Sequence, residues 1–184
     1  MTLFQLIHSD YKKYYKYGGN FVSIVFLTQG FWAVFQYRIA NLIYRRINVP
    51  LIRQLLLLFM IAWQKLIEMS TGISIPASAK IGASFYIGHF GGVILNAKTI
   101  IGNNCNISQG VTIGISGIED SRGVPIIGNN VYIGANAVVA GKIKIEDNVL
   151  VGACSLVNKD VFENEVVIGV PAVSISKNSS KGYI

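Results

Sequence analysis

Histidine is nearly absent from this chain: its 184 residues contain only His8 and His89. A zinc site built from three histidines therefore cannot be assembled, and no cluster of Cys, His and carboxylate with ligand spacing replaces it, so no metal is expected. Cysteine is as scarce. Cys105 and Cys154 stand where a small inward-facing residue would fit, which reads as reduced core cysteine and excludes a disulfide framework. Charge is thin, at 14% of residues against 52% apolar, and this excludes a disordered chain. The first residues, Met-Thr-Leu-Phe-Gln, lack the basic start and cleavage site of a signal peptide, so a cytoplasmic location is expected.

Acidic residues are rarest in the first part of the chain. Residues 1–72 carry eight Lys or Arg against Asp10 and Glu68, a net of +6 out of the total of +7. A basic segment of this kind can meet anionic lipid or acidic glycans, or simply be a solvated face; a nucleic-acid partner is not expected. Residues 1–17 read as a helical arm broken by Gly18-Gly19-Asn20. An apolar run from Phe21 to about Arg46 follows, and a second stretch starts at Pro50, ends near Ser70 and is capped by Gly72. Residues 18–37 are charge-free but contain Gly, Asn, Thr and Gln, and the run from Gln54 to Gln64 is short of the roughly 20 apolar residues a span requires. Residues 1–72 are thus expected to be a helical segment that packs on the rest of the chain, joins copies together, or docks on the inner face of a membrane.

What the chain has in abundance is a beat of six. Ile75, Ile81, Ile87, then Leu95, Ile101, Ile107, Ile113, then Ile127, Ile133, Val139, Ile145, Val151 and Val157 lead successive units, usually with a small residue four positions later. Residues six apart lie on opposite faces of an α-helix but fall in register in short strands joined by tight turns. The chain is therefore mainly β, a solenoid over residues 73–172, with residues 173–184 as a C-terminal tail whose last part, Lys177 to Ile184, is expected to be loosely ordered.

The beat slips twice. Eight residues, not six, separate Ile87 from Leu95, and the reset falls in Gly88-His89-Phe90-Gly91-Gly92; a loop, Gly114 to Pro125, separates Ile113 from Ile127. Insertions in a stacked repeat are usually functional, since the core needs none. His89, set between glycines at the first slip, is the candidate catalytic residue. An imidazole, titrating near pH 6.5 in water (about that value in model peptides), is the commonest general base. His8 has no supporting motif and reads as a surface residue. Asn103, Asn104, Asn129 and Asn130 read as turn residues.

At this point the chain resembles the hexapeptide-repeat acyltransferases, and among them the serine O-acetyltransferases and related sugar O-acetyltransferases. The motifs are Gly30-Phe31 followed by Tyr37-Arg38-Ile39, Ala79-Lys80-Ile81-Gly82 ahead of His89, and Gly169-Val170-Pro171-Ala172. The resemblance implies a left-handed parallel β-helix, a homotrimer that can pair into a dimer of trimers, and active sites between adjacent solenoids. It further implies acetyl-CoA as co-substrate, lying along the coils after the loop, with Gly114, Gly117, Gly134, Ala135, Lys142, Ala153 and Pro171 as its contacts. His89 would then take the proton from an acceptor hydroxyl as that oxygen attacks the thioester.

The departures bear on the acceptor. Serine acetyltransferases place aspartates where this chain has Ser74 and Gly88, and an Arg-His pair where it has Arg122-Gly123. Free serine is a zwitterion, and a pocket stripped of those charges has little with which to hold it. A glycan hydroxyl asks instead for hydrogen-bonding groups, which Ser74, Asn106, Gln109, Asp120 and Arg122 would supply, with Asn96, Ser108, Thr112 and Glu119 in reserve. The expected function is thus acetyl transfer to a saccharide of a surface polysaccharide or its precursor, with serine acetylation for cysteine synthesis second. A non-catalytic binding solenoid is the rival of another class. The carbonic anhydrases of this fold are excluded by the histidine count.

Overall fold

The computed structural model describes residues 1–184. α1 (Leu3–Lys16) starts on a capping box in which Thr2 and Gln5 exchange side-chain and backbone hydrogen bonds. One π-helical turn, Ser23–Leu27, leads through an extended Thr28 into α2 (Gln29–Arg46). The apolar run of 18–37 is therefore broken and forms no single span. α3 (Pro50–Thr71) has Pro at its first turn and Gly72 at its end with φ of 69°. It is longer than the Gln54–Gln64 run suggests, because Arg53 and Lys65 sit within a helix of 22 residues. This makes it the one helix long and apolar enough to cross a membrane.

From Ile73 the chain winds through three sheets that wall a triangular prism. One sheet stacks β1 (Ile73–Ser74), β4 (Val93–Leu95), β7 (Thr112–Gly114), β10 (Val138–Ala140) and β13 (Leu156–Val157). A second stacks β2 (Lys80–Ile81), β5 (Ile100–Ile101), β8 (Ile126–Ile127) and β11 (Lys144–Ile145). The third stacks β3 (Tyr86–Ile87), β6 (Asn106–Ile107), β9 (Tyr132–Ile133), β12 (Leu150–Val151), β14 (Val166–Gly169) and β15 (Ala172–Ser176). All pairings are parallel except the closing hairpin of β14 and β15.

The leads of the beat point inward and are buried, as are the residues four positions on: Phe85, Cys105, Val131, Ala137 and Val149. Register turns the slips into geometry. Ile127 pairs with Ile145, eighteen residues on, which is one plain coil of three six-residue units. Ile81 pairs with Ile101, twenty on, so the histidine slip adds two residues. Ile101 pairs with Ile127, twenty-six on, so the loop adds eight.

The helices are bolted to the first coil by polar groups. Arg38 forms a buried ion pair with Asp10 at 2.8 Å, both side chains at most 2% exposed, and donates to the carbonyls of Ile81 and Gly82. Asp10 in turn accepts from Phe85 N. Burial pushes the Asp10 carboxyl above its usual range, with the Arg38 hydrogen bonds and charge pulling it back. Tyr14 Oη donates to Ile87 O and accepts from Ile87 N, and Gly30 lets α2 approach so closely that a Cβ there would strike Ile87 O.

Lys13 lies buried on the wall with Nζ donating to Asn104 Oδ1 at 2.6 Å, and burial brings its ammonium down from 10.5 to about 8. Burial pushes the Cys105 thiol up from 9.0 to about 11. Between pH 8 and 9 the unfolded chain holds the Lys13 proton that the folded chain sheds, so the unfolded state binds more protons and stability rises with pH. Above pH 9 the unfolded chain loses the Cys105 proton that the fold retains, which has the opposite sign. Urea midpoints should climb from pH 8 to 9 and then level off, and Lys13→Met should abolish the climb; a flat wild-type profile would refute the assignment.

Two expectations are corrected. Cys154 is exposed, in a turn with φ of 56°, and not a core residue; Cys105 is buried. The tail is not loose. Ser180 is buried, its N–H donates to Asn148 O and its hydroxyl to Asn130 O, Asn106 Nδ2 and Tyr17 Oη donate to Tyr183 O, and Lys16 Nζ donates to Ile184 O.

Candidate active site

The corner between the third sheet and the first is where the solenoid opens. Plain coils turn it through Gly134-Ala135-Asn136 and Gly152-Ala153-Cys154, stacked by Ala135 O accepting from Cys154 N. Coil two turns it through Ser108-Gln109-Gly110, and Gln109 O accepts from Asn136 N. The first coil must pass the same corner with two extra residues. Gly91 and Gly92, with φ of 102° and 66°, absorb them, and Gly91 O still accepts from Gly110 N. The excess is displaced outward, and His89 stands on it, exposed and with no side-chain hydrogen bond. Behind it, Thr71 O accepts from Gly91 N, so the end of α3 braces the opened turn.

His89 looks into a cavity of about 300 Å³ lined by Tyr17, Tyr86, Asn106, Ser108, Tyr132 and Tyr183. Tyr86, Asn106 and Tyr132 pair in register on the outer face of the third sheet. Tyr17 and Tyr183 come from α1 and the tail; Tyr17 lies 4.5 Å from the Tyr86 ring and Tyr183 lies 5.1 Å from that of Tyr132. Asn106 is 3% exposed; its Nδ2 donates to Tyr17 Oη and Tyr183 O, while its Oδ1 is buried without a partner. An orphaned buried acceptor is costly unless a donor arrives, and this one adjoins the histidine. No Asp, Glu, Lys or Arg lines the cavity.

The expected contacts divide between two edges of the prism. Gly134, Ala135 and Ala153 share the edge of His89, and so does Gln109, but its side chain lies outside the cavity. Pro171 is in the closing hairpin. Gly114, Gly117, Asp120, Arg122 and Lys142 belong to another edge, where the loop folds on itself through Ser116 and Gly123 and Lys142 Nζ donates to Asp120 O. One chain therefore does not bring the two sets together, as expected of a site formed between adjacent solenoids. Ser74 is elsewhere as well: its hydroxyl donates to Glu68 Oε1 at 2.7 Å. Partial burial raises the Glu68 carboxyl, but hydrogen bonds from Lys65, Ser74 and Gln64 outweigh it and hold the group below its usual range.

Sequence reasoning missed the four tyrosines. Tyr86 and Tyr132 could have been found, since each directly precedes a lead of the beat and so faces outward in the column of Asn106. Tyr17 and Tyr183 carry no such signal. His8 is exposed and stacks on Phe4, as a surface residue should. The asparagines are turn residues: Asn104, Asn130 and Asn148 form one ladder, and Asn103, Asn129 and Asp147 another.

Residues 125–159 match the family model described as bacterial transferase hexapeptide, six repeats. The chain is 35% identical over 152 residues to the serine acetyltransferase of Synechococcus elongatus, which covers 83% of this chain and 59% of that protein. It is 32% identical over 162 residues to that of Bacillus licheniformis, covering 88% and 71%. The chain thus spans about three-fifths to seven-tenths of these relatives' length. Among solved structures it superposes on Neisseria gonorrhoeae serine acetyltransferase with a TM-score of 0.82 at 30% identity, covering 95% of this chain and 66% of that one. A serine acetyltransferase solved in complex with CoA gives 0.79 at 26% identity, covering 94% and 69%. The chain belongs to the serine acetyltransferase branch of the hexapeptide-repeat transferases, whose fold is the left-handed parallel β-helix.

Proposed function

We propose that the chain is an acetyl-CoA-dependent O-acetyltransferase with His89 as general base and serine as acceptor. The carrying observation is the exposed imidazole on the opened corner, facing a half-open cavity at the head of an edge of small residues. His89 takes the proton of the acceptor hydroxyl as its oxygen attacks the thioester carbonyl. The tetrahedral adduct collapses, the C–S bond breaks, and His89 returns its proton to the departing CoA sulfur. The residues fit the co-substrate: Ala135, partly exposed, and Ala153, exposed, present only methyl groups along this edge, which suits a thin pantetheine arm. Lys142 and Arg122, on the other edge, are suitable cations for its phosphates. Because the two edges face different ways, a neighbouring copy must bring the second to the first, which supports the trimer as the working unit. Backbone N–H groups of the glycine turn are suitable donors to the oxyanion.

Serine as acceptor rests on the relatives, and this reverses the order the sequence suggested. A saccharide acceptor keeps one specific support: the cavity is neutral, walled by tyrosine rings, and has in its wall the Asn106 amide, whose buried Oδ1 lacks a partner. CoA release measured with serine, nucleotide sugars and oligosaccharides separates the two. Turnover of serine with sugars inert upholds the first reading, and the reverse result installs the second. In either case Asn106→Ala should raise the acceptor KM about tenfold, the value of one lost hydrogen bond, and leave the acetyl-CoA KM unchanged; equal shifts in both would deny it a substrate contact.

A further inference from the structure

α3 is apolar on both sides. Its inner side packs on α2 and the first coil through Met60, Ile67 and Thr71. Its outer side carries Leu51, Leu55, Leu58, Phe59, Leu66 and Met69, each between 61% and 76% exposed. Leu51, Leu55, Leu58, Ala62, Leu66 and Met69 recur at the three- and four-residue spacing of one helical stripe. Nothing in the chain covers them. Next to the stripe, Trp63 and Ile67 of α3 join Phe4, Val25, Trp32 and Phe35 around an apolar cavity of about 540 Å³.

Charge says what the stripe meets. Arg45 and Arg46 end α2 in the open, and Arg53 lies over the Tyr44 ring 4.9 Å away with its Nε buried and unpaired. The helical segment has only two carboxylates: Asp10 is sealed against Arg38, and Glu68 is held by Lys65, Gln64 and Ser74. A second copy docking stripe to stripe would bring no free carboxylate to meet Arg45 and Arg46. A surface with apolar depth and anionic headgroups satisfies both the stripe and the cations. Spanning is excluded by the inner face: Gln36 donates to Met60 O, Ser74 to Glu68, and Gly91 N to Thr71 O, contacts that insertion would tear away.

We propose that the outer face of α3 lies in the interface of an anionic membrane, with the exposed Arg45 and Arg46 at the phosphates and Lys65 snorkelling from within the stripe. The inference is independent of the acetyl-transfer reading. The test is cosedimentation of the full chain with phosphatidylcholine vesicles and with vesicles that also contain phosphatidylglycerol. Binding to the anionic vesicles should exceed binding to the neutral ones by at least about tenfold at about 0.1 M salt and weaken at about 1 M, where the Debye length falls from about 10 Å to about 3 Å. Leu55→Glu with Phe59→Glu should lower anionic binding by at least about tenfold, and Arg45→Glu with Arg46→Glu should remove the preference for anionic lipid. All four positions are exposed, so circular dichroism and Tm should match wild type. Absence of vesicle binding, or binding that survives both pairs, overturns the proposal. So does self-association of the wild type that the Leu55 and Phe59 pair dissolves, which would assign the stripe to another copy of the chain.

Discussion

His89→Ala should lower the rate of CoA release by about 10²-fold or more, the usual contribution of a positioned general base. Stability should stay within about 0.5 kcal/mol of wild type, as for surface changes away from packed features. The imidazole is exposed and makes no hydrogen bond within the chain, so its loss opens no cavity and orphans no partner. The effect should fall on kcat with acetyl-CoA KM little altered, because the group acts on the proton being moved and not on the bound thioester. Unchanged turnover would remove His89 from the chemistry and assign the proton transfer to another group.

Arg38→Ala should cost about 3–5 kcal/mol, the penalty for leaving a buried charge uncompensated. Four bonds go at once: two to Asp10, one to Ile81 O and one to Gly82 O. For a chain of this size the Tm should fall by roughly 10 °C. Arg38→Lys should recover little, since an ammonium cannot reproduce the planar fork that meets the carboxylate and two carbonyls together. Asp10→Asn combined with Arg38→Met should be milder than Arg38→Ala, because the stranded charge is gone. A loss below about 1 kcal/mol on Arg38→Ala would mean the helices are held by apolar packing alone.

The solenoid was legible because its signal is local. Each lead occupies the same place in its own short strand, and a stacked coil repeats that demand every six residues, so the beat, its two slips and the position of His89 could all be read in order along the chain. Gly72 and Pro50 likewise marked both ends of α3. The cavity beside His89 was half legible: Tyr86 and Tyr132 follow from the beat. Tyr17 and Tyr183, 166 residues apart in sequence, meet the same wall because Tyr17 Oη donates to Tyr183 O, a contact with no periodicity to announce it.

The sequence by itself determined the coil, because a six-residue unit buries its own lead and needs only the next coil for company. It also determined that one imidazole would be displaced where the count fails. Tertiary structure alone decided three things: that the tail joins the wall of the histidine's cavity, that the two sets of residues expected to contact acetyl-CoA lie on different edges, and that α3 keeps one apolar face uncovered. Each depends on which way a surface points after the chain has turned three corners, and direction in space is summed over every residue between.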